Sequence, residues 1–266
     1  MLKGHFIPSA EGCLFVTQFG EISSDTAILC LPSITEELNL SRAVVAKQAQ
    51  LFAKNNLPCF VLDYYGTGDS EGEFEQANGD IWLDNILNIG QWLSTQGIKK
   101  IILFGVRFGS LLILAHQNKL HKALPIVKQI LWKPVTNGKQ FAGQFIRIKQ
   151  ANSMMNKSSE RINWRAQVLE GNATEIAGYL LTQKMLLSME ALQLSKTFQP
   201  KSELHWFDLS SKEPTPLAQR LVSQWSENKA IIHCFDCPSF WQVPEVFSLP
   251  GLEQLTLDVV MDKGSL

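Results

Sequence analysis

The sequence has neither an excess of one charge nor a long uninterrupted apolar run. Its 266 residues include 24 basic and 25 acidic side chains, which give a formal net charge of −1. Nucleic-acid binding through counterion release needs a concentrated basic face, so this balance argues against a nucleic-acid-binding protein. The longest apolar run, Ile101 to Ala115, contains Arg107 and two glycines and is shorter than the ~20 residues that cross a bilayer. We therefore predict no transmembrane segment.

The sequence also lacks the features of an exported protein. Its first residues contain Pro8 and Glu11 where a signal peptide would need an uninterrupted apolar stretch. The cysteines form an odd set of five, of which two lie inside apolar runs typical of buried strands: Cys13, Cys30, Cys59, Cys234 and Cys237. Such usage favours a reducing compartment. We predict a cytoplasmic protein.

No pattern in the sequence indicates a metal or a cofactor. Cys234 and Cys237 have the spacing of a redox pair, but they lack the strand-to-helix context of a thioredoxin motif, and no second pair completes a zinc site. The loop Gly66 to Gly72 could be read as a dinucleotide loop. However, Asp69 and the glutamates after it would repel phosphates, and no helix opens on these glycines.

Apolar patterning predicts an α/β protein with a mostly parallel sheet. Two short β-type runs, around His5 to Ile7 and Leu14 to Gln18, predict a hairpin. From Thr26 the buried-strand runs TAILCL, CFVLDYY and KKIILFG alternate with helical segments. Alternation of this kind is typical of parallel sheets flanked by helices.

A long helical segment divides this pattern. The stretch from Asn137 to about Leu194 is helical in composition and lacks strand-like runs, so we interpret it as an inserted cap. The α/β pattern then resumes with SELHWFDLS, a helix that includes Leu217 and Trp225, the strand AIIHCF and a last helix near Leu252 to Met261. The predicted organisation is a core of residues 1–136 and 201–266 interrupted by a helical cap at 137–200.

The third strand of the alternating pattern turns sharply into a helix at Gly105-Val106-Arg107-Phe108-Gly109. This turn resembles the nucleophile elbow of α/β-hydrolases, G-x-S-x-G, in which glycines make room for a strained strand-to-helix turn. The loop LDYYGTGDSEG after the preceding strand resembles a strand-end loop of the same fold. Here the presented residue is Arg107, and a guanidinium cannot attack an acyl carbon.

Two roles for Arg107 remain open. At a helix N-terminus, free N–H groups and a guanidinium together favour a carboxylate or a phosphate, which predicts an anion pocket. Alternatively, Arg107 forms an internal salt bridge, for example to Asp63, Glu36 or Glu37, and plugs a disused site.

A displaced nucleophile is a separate hypothesis. Ser110 lies one turn after Arg107, and Ser33 lies in the loop LPSITEE after the first buried strand. In α/β-hydrolases that loop supplies one N–H of the oxyanion hole, so we assign the two donors to Ile34 and to the amide of Phe108.

The other members of a catalytic triad are incomplete. Asp208, after SELHWF, is the candidate acid. The loop after AIIHCF, from Asp236 to Trp241, contains no histidine where the base is expected. His205 and His233 lie within strands, where we expect core or surface roles.

Several segments together resemble the exosortase A system-associated hydrolase 2 family: LPSITEELNLSR, LDYYGTGDSEGEF, FGVRFGSLL, ILWKPVTNGKQFAGQFIRIKQ and SFWQVPE. The resemblance covers most of the chain and is strongest from about Leu31 to Met155. It implies an α/β-hydrolase superfamily member from a bacterium with exosortase sorting and exopolysaccharide production. The chain departs from ordinary hydrolases of this fold at Arg107 and at the missing late histidine.

Two functional hypotheses follow. The first is a divergent hydrolase of an ester, thioester or amide, with Ser110 or Ser33 as nucleophile, an acid among Asp63, Asp69 and Asp208, and Arg107 on a substrate anion. The second is a catalytically inactive protein that binds an anionic or acyl small molecule, or a protein partner of the exosortase system.

Overall fold

The computed structural model describes residues 1–155, 162–225 and 229–262. Within these ranges ten strands are formed: β1 (Leu2–Pro8), β2 (Cys13–Phe19), β3 (Thr26–Leu31), β4 (Cys59–Leu62), β5 (Lys100–Val106), β6 (Ile126–Trp132), β7 (Thr174–Ile176), β8 (Tyr179–Leu181), β9 (Glu203–Leu209) and β10 (Ala230–Phe235). The helices are α1 (Thr35–Lys54), α2 (Gly79–Thr95), α3 (Phe108–Ala123), α4 (Gly138–Met155), α5 (Trp164–Leu169), α6 (Gln183–Ala191), α7 (Pro216–Val222) and α8 (Pro250–Val260).

Eight of these strands form one sheet in the order β1-β2-β4-β3-β5-β6-β9-β10. The hairpin β1–β2 is antiparallel and pairs antiparallel with β4, whereas the pairs from β4 through β10 are parallel. The predicted hairpin and the predicted mostly parallel sheet are confirmed. Because parallel strands end at one edge of the sheet, the loops after β3, β5, β6, β9 and β10 meet there.

Both faces of the sheet are covered, which explains the continuous apolar runs of the central strands. On one face Leu29, Leu103 and Leu131 join a core that includes α2, α3 and the segment between β6 and β9. On the other face Phe104 and Trp132 join a core with α1 and α8. The ring centroids of Phe104 and Trp132 are 4.8 Å apart in an edge-to-face arrangement.

The segment between β6 and β9 contains α4, α5 and α6, in agreement with its helical composition. The expectation that it lacks strands is wrong, because β7 and β8 form a small antiparallel hairpin there. Each of these strands has only three residues, too few to show an alternating pattern. Residues 156–161 of the predicted cap lie outside the described residues.

The two ends of this segment are fastened to each other. The Gly138 amide donates to the Leu192 carbonyl at 2.8 Å, and the Leu194 amide donates to the Thr136 carbonyl at 2.9 Å. Gly138 is required here, since an added Cβ would lie 1.8 Å from the Met189 carbonyl oxygen. The segment therefore leaves the core and returns to it at one place.

Two further predictions concern the ends of elements and membrane insertion. The helix after β9 ends at Val222, so Trp225 lies beyond it rather than within it and packs on Phe198 at 5.1 Å between ring centroids. Among the helices of the described ranges, none is both long and apolar enough to cross a bilayer.

Candidate functional site

Four non-glycine residues with positive φ lie at the carboxyl edge of the sheet. Thr35 (φ 56°) follows β3, Arg107 (52°) follows β5, Lys133 (40°) follows β6, and Ser210 (59°) follows β9. Left-handed backbone is costly for residues with a Cβ and accumulates at functional sites. The concentration of strain at this edge identifies it as the candidate site.

The elbow at Arg107 depends on the two glycines around it. Arg107 has φ 52° and ψ −112° between β5 and α3. A Cβ on Gly109 would lie 1.9 Å from the Leu31 carbonyl oxygen, and one on Gly105 would lie 2.8 Å from the Ser110 Cα. The absence of a side chain at Gly109 thus lets the turn pack against the end of β3, and its absence at Gly105 lets β5 pack against α3.

The Arg107 side chain is engaged inside the protein. Its Nη2 donates to Glu37 Oε1 at 2.9 Å and its Nε to Glu37 Oε2 at 3.2 Å, a bidentate ion pair with α1. Its Nη1 donates to the Lys133 carbonyl at 3.2 Å, and the guanidinium carbon lies 5.1 Å from the ring centroid of Trp241. Of the three carboxylates considered for Arg107, Glu37 is the one that pairs with it.

The other two carboxylates are engaged differently or lie elsewhere. Asp63 receives a hydrogen bond from Arg42 at 3.3 Å and from the Asp69 amide at 3.0 Å. Burial raises the pKa of Asp63, although Arg42 opposes this shift. Glu36 lines the cavity described below.

Ser33 joins the Arg107 network. Its hydroxyl donates to Glu37 Oε2 at 2.8 Å, and the Phe108 amide donates to the Ser33 Oγ at 3.4 Å. The amide that we assigned to the oxyanion hole is thus in contact with Ser33. Ile34, assigned as the second donor, is fully buried directly before α1.

Ser110 has a different environment. It is fully buried, and its Oγ has no hydrogen-bond partner among the described residues. An unpaired hydroxyl in an apolar core is costly and is not activated by a base.

Asp208 lies near the end of β9 and is held by two partners. Lys133 Nζ donates to its Oδ1 at 2.7 Å, and the Thr215 amide donates to its Oδ2 at 2.7 Å. Burial alone would raise the pKa of Asp208, but the hydrogen bonds from Lys133 and Thr215 outweigh it and hold the pKa below the usual value. The candidate acid is therefore an ionised, buried partner of a lysine.

The loop after β10 brings Trp241 rather than a histidine to Arg107. The two strand histidines contact each other: His205 Nδ1 and His233 Nε2 are 2.9 Å apart, and His205 Nε2 lies 2.6 Å from Glu203 Oε1. The ring of His233 also stacks on Phe207 at 4.8 Å. As predicted for residues within strands, both histidines serve packing in this region.

A cavity of about 610 Å³ opens beside the Arg107–Glu37 pair. Its apolar wall consists of Leu40 from α1, Phe141, Phe145 and Ile148 from α4, and Trp241. Its charged lining residues are Glu36, Glu37 and Arg147. Ser33, Phe108 and Ser110 are not among its lining residues, so the cavity reaches the ion pair but not the candidate nucleophiles.

Sequence reasoning missed Lys133, Thr215 and Trp241 as partners in this site. Lys133 and Trp241 follow strands whose carboxyl ends meet, and this position was the signal in the sequence that could have identified them.

Metal-ligating side chains are not gathered at the site: within the described ranges no three His, Cys, Asp or Glu residues are arranged to hold an ion. All five cysteines are free thiols.

Comparison with solved structures shows the fold of this chain. A putative hydrolase from Agrobacterium vitis S4 superposes with a TM-score of 0.67 at 13% identity, over 98% of this chain and 99% of that chain. Est1E from Butyrivibrio proteoclasticus, solved with ferulic acid bound, gives a TM-score of 0.65 at 13% identity, over 97% and 99%. A serine hydrolase from Cycloclasticus zankles gives 0.61 at 16% identity, over 100% of both chains.

No family model matches the chain, and no curated protein matches it. At these identities the structural neighbours show the α/β-hydrolase fold and no more. The predicted fold class is thereby confirmed.

Proposed function

We propose that this chain is a catalytically inactive protein of the α/β-hydrolase fold that binds a small ligand in the cavity beside Arg107. The observation that carries the proposal is the bidentate Arg107–Glu37 ion pair at the elbow. Arginine supplies no nucleophile, and the pair fills the position from which one would act. Arg107 thus occupies the site with an internal salt bridge. The hypothesis that Arg107 binds a ligand anion loses support, because Glu37 already neutralises the guanidinium.

The cavity supports a ligand with an acyl-type apolar group. Leu40, Phe145 and Ile148 offer it an apolar surface, and a volume of about 610 Å³ is within the usual range for small-molecule sites. An acidic head group would meet Arg147, the cation among the lining residues, rather than Arg107. The ferulic acid bound in the Butyrivibrio neighbour supports a small-molecule ligand.

Three further proposals rest on sequence features. The resemblance of five segments supports a role in the exosortase and exopolysaccharide system, in which the cap would dock a protein partner of that system. The free thiols support a cytoplasmic location, since reducing conditions preserve them. The division into a core (1–136 and 201–266) and a cap (137–200) is supported by the hydrogen bonds that join residues 136–138 to residues 192–194.

Binding can be tested by filling the cavity. In Leu40→Trp a larger ring occupies the apolar wall, so binding of a dansyl-labelled medium-chain fatty acid should weaken by about tenfold, measured by fluorescence titration. Leu187→Trp is the matched control, because Leu187 is 49% exposed on α6 and does not line the cavity. Equal affinity in both variants would contradict the proposed site.

A second candidate function is hydrolysis of an ester, thioester or amide from Ser33. The observation that favours it is the Ser33 hydroxyl between the Glu37 carboxylate at 2.8 Å and the Phe108 amide at 3.4 Å, which supplies a base and a neighbouring donor. No comparable base contacts Ser110 among the described residues.

A fluorophosphonate probe separates the two functions. The binding protein should remain unlabelled by intact mass spectrometry. Labelling that is lost on heat unfolding and in Ser33→Ala would establish Ser33 as a nucleophile and overturn the first proposal. If the labelling were instead lost in Ser110→Ala, Ser110 would be identified as the nucleophile.

A further inference from the structure

A second cleft, of about 600 Å³, lies between the end of the cap segment and α7. It is lined by residues at the start of α4, by residues 193–199 and by residues of α7 and the turn after it. It shares no lining residue with the cavity beside Arg107. A ligand of this cleft is therefore separate from the function proposed above.

The charged side chains that line the cleft are all positive. Lys196 and Arg220 contribute to it, and no Asp or Glu does. Neither cation forms an ion pair with a described residue. Two cations with no acidic partner among the described residues concentrate positive potential in one concave surface, which favours an anionic ligand. In the chain as a whole, basic and acidic residues nearly balance, so the cleft departs from the average surface.

The polar uncharged lining is rich in carboxamides. Gln140, Gln193 and Gln224 all line the cleft. A carboxamide offers two donors and an acceptor, and a hydroxyl group likewise both donates and accepts, so such a lining suits a ligand with several hydroxyls. A bare anion, which only accepts, would leave the carboxamide oxygens unused.

One wall of the cleft is apolar. Leu217 is 40% exposed on α7, and Leu221 lines the cleft one turn later. Phe198 and Trp225, with ring centroids 5.1 Å apart, also line the cleft. Apolar side chains beside carboxamides match a ring that has C–H groups on one face and hydroxyls at its edge.

We propose that this cleft binds a polyhydroxylated anion, namely a sugar ring that carries a phosphate or a carboxylate. Lys196 and Arg220 bind the anionic group, the glutamine side chains bind hydroxyls, and Leu217 packs on the ring. The two sources of the charge, a sugar phosphate or a uronic acid, share this chemistry.

The test is calorimetric titration of the purified full-length chain with glucose 6-phosphate, glucuronate, glucose and inorganic phosphate. We expect one of the two sugar anions to bind at least about tenfold more tightly than glucose and than phosphate. Tighter binding of glucose 6-phosphate or of glucuronate identifies the source of the charge. Binding of neither sugar anion would overturn the proposal, as would equal binding of inorganic phosphate.

The variant Lys196→Ala/Arg220→Ala places the ligand in the cleft. Both side chains are exposed, so the variant should fold, and the affinity for the sugar anion should fall by about tenfold or more. The matched control is Lys3→Ala/Lys99→Ala, which removes the same charge at exposed positions outside the cleft and should bind as the wild type does. An equal loss in both variants would show that net charge, not this cleft, governs binding.

This test is independent of the cavity beside Arg107. The cleft variant should bind the dansyl fatty acid with unchanged affinity, and Leu40→Trp should leave the sugar anion unaffected. The two titrations can therefore contradict the sugar-anion proposal and the fatty-acid proposal separately.

Discussion

Strands β6 and β9 carry an ion pair with one buried member at each of their two ends, and the two pairs differ in their backbone. At the amino end Lys128 Nζ lies 3.6 Å from Glu203 Oε2 and also donates to the Val259 carbonyl at 3.0 Å, on regular strands. At the carboxyl end Lys133 pairs with Asp208 at 2.7 Å, and the strands leave the sheet through positive φ at Lys133 and Ser210.

The difference separates two uses of buried charge. The amino-end pair fastens the C-terminal end of α8 to the sheet, where a cation also meets the negative end of the helix dipole. The carboxyl-end pair lies with Arg107 and Glu37 on a backbone whose strain local packing must maintain. Each end buries one charged group, but of the two only the carboxyl end combines it with positive φ.

The largest effect should come from breaking the Arg107–Glu37 ion pair, which lies beside the Lys133–Asp208 pair at the carboxyl end of the sheet. In Glu37→Leu the guanidinium of Arg107, whose side chain is 10% exposed, loses its ion-pair partner and keeps only the Lys133 carbonyl and the ring of Trp241. The free energy of unfolding should fall by about 3–5 kcal/mol, measured by urea denaturation. Arg107→Met added to Glu37→Leu should recover most of this loss, because neither charge remains.

The matched change at the amino end is Glu203→Leu. The Glu203 side chain is 40% exposed, and Lys128 keeps a second carboxylate partner, Asp262, together with the Val259 carbonyl. The loss should therefore be about 1 kcal/mol or less. Equal losses for Glu37→Leu and Glu203→Leu would remove the distinction between the two ends.

The next effect concerns the elbow backbone itself. In Gly109→Ala the new Cβ would meet the Leu31 carbonyl oxygen at 1.9 Å, so β3 and α3 must separate, and we expect a loss of about 3 kcal/mol. Gly143→Ala in α4 is the control, because its Cβ meets nothing within 4 Å and should stabilise the helix by about 0.5–1 kcal/mol. If Gly109→Ala did not lower the thermal unfolding temperature, the turn would not be tightly packed.

A smaller effect is expected from Lys133→Met, which leaves Asp208 with the Thr215 amide as its remaining partner of the two described above. At pH 7 the loss should be about 2 kcal/mol. Lys133 helps to lower the pKa of Asp208, so its contribution is complete above the unfolded pKa of ~3.9 and is lost as the pH falls through the folded pKa. The wild-type and variant stabilities should therefore converge as the pH falls below the folded pKa of Asp208.

Lys212→Met serves as the exposed counterpart of that change. The Lys212 side chain is 84% exposed and lies 3.8 Å from Asp236, so water screens the pair and the loss should be about 0.5 kcal/mol or less at every pH. A pH-independent deficit in Lys133→Met would instead assign its effect to lost packing.

At neutral pH the smallest effect belongs to the histidines near the amino end, because their contribution to stability changes only as the pH falls below ~6.5. Burial and the neighbouring His205 lower the pKa of His233 to about 4. With an unfolded pKa of ~6.5, the unfolded chain binds this proton first as the pH falls, so stability is complete above pH ~6.5 and is lost progressively down to about pH 4. His233→Phe, which keeps the stacking on Phe207, should flatten this part of the pH profile in urea titrations, whereas an unchanged slope would assign it to other groups.

The sequence predicted the fold because the fold depends on local patterns. Period-two and helical apolar patterns located the hairpin, the central strands and the flanking helices, and the spacing of Gly105 and Gly109 located the elbow. The strands β7 and β8 escaped detection because three residues show no periodicity.

The site was less predictable because it depends on which strand ends become neighbours. Nothing local in the sequence places β6 beside β9, so Lys133 could not be paired with Asp208. For Arg107 three carboxylates were equal candidates, and the choice of Glu37 depends on how α1 begins at Thr35, a residue with positive φ. Trp241 was missed because reasoning about its loop looked only for a histidine.

The bent backbone at Arg107 has a consequence for protein design. A designer who wished to install hydrolytic chemistry on this chain would find the difficult main-chain geometry already in place, with Gly105 and Gly109 making room for it. Two side chains would have to change together, since replacement of Arg107 alone leaves the Glu37 carboxylate without its main partner. The backbone of such a turn and the chemistry of its side chains can therefore be altered independently.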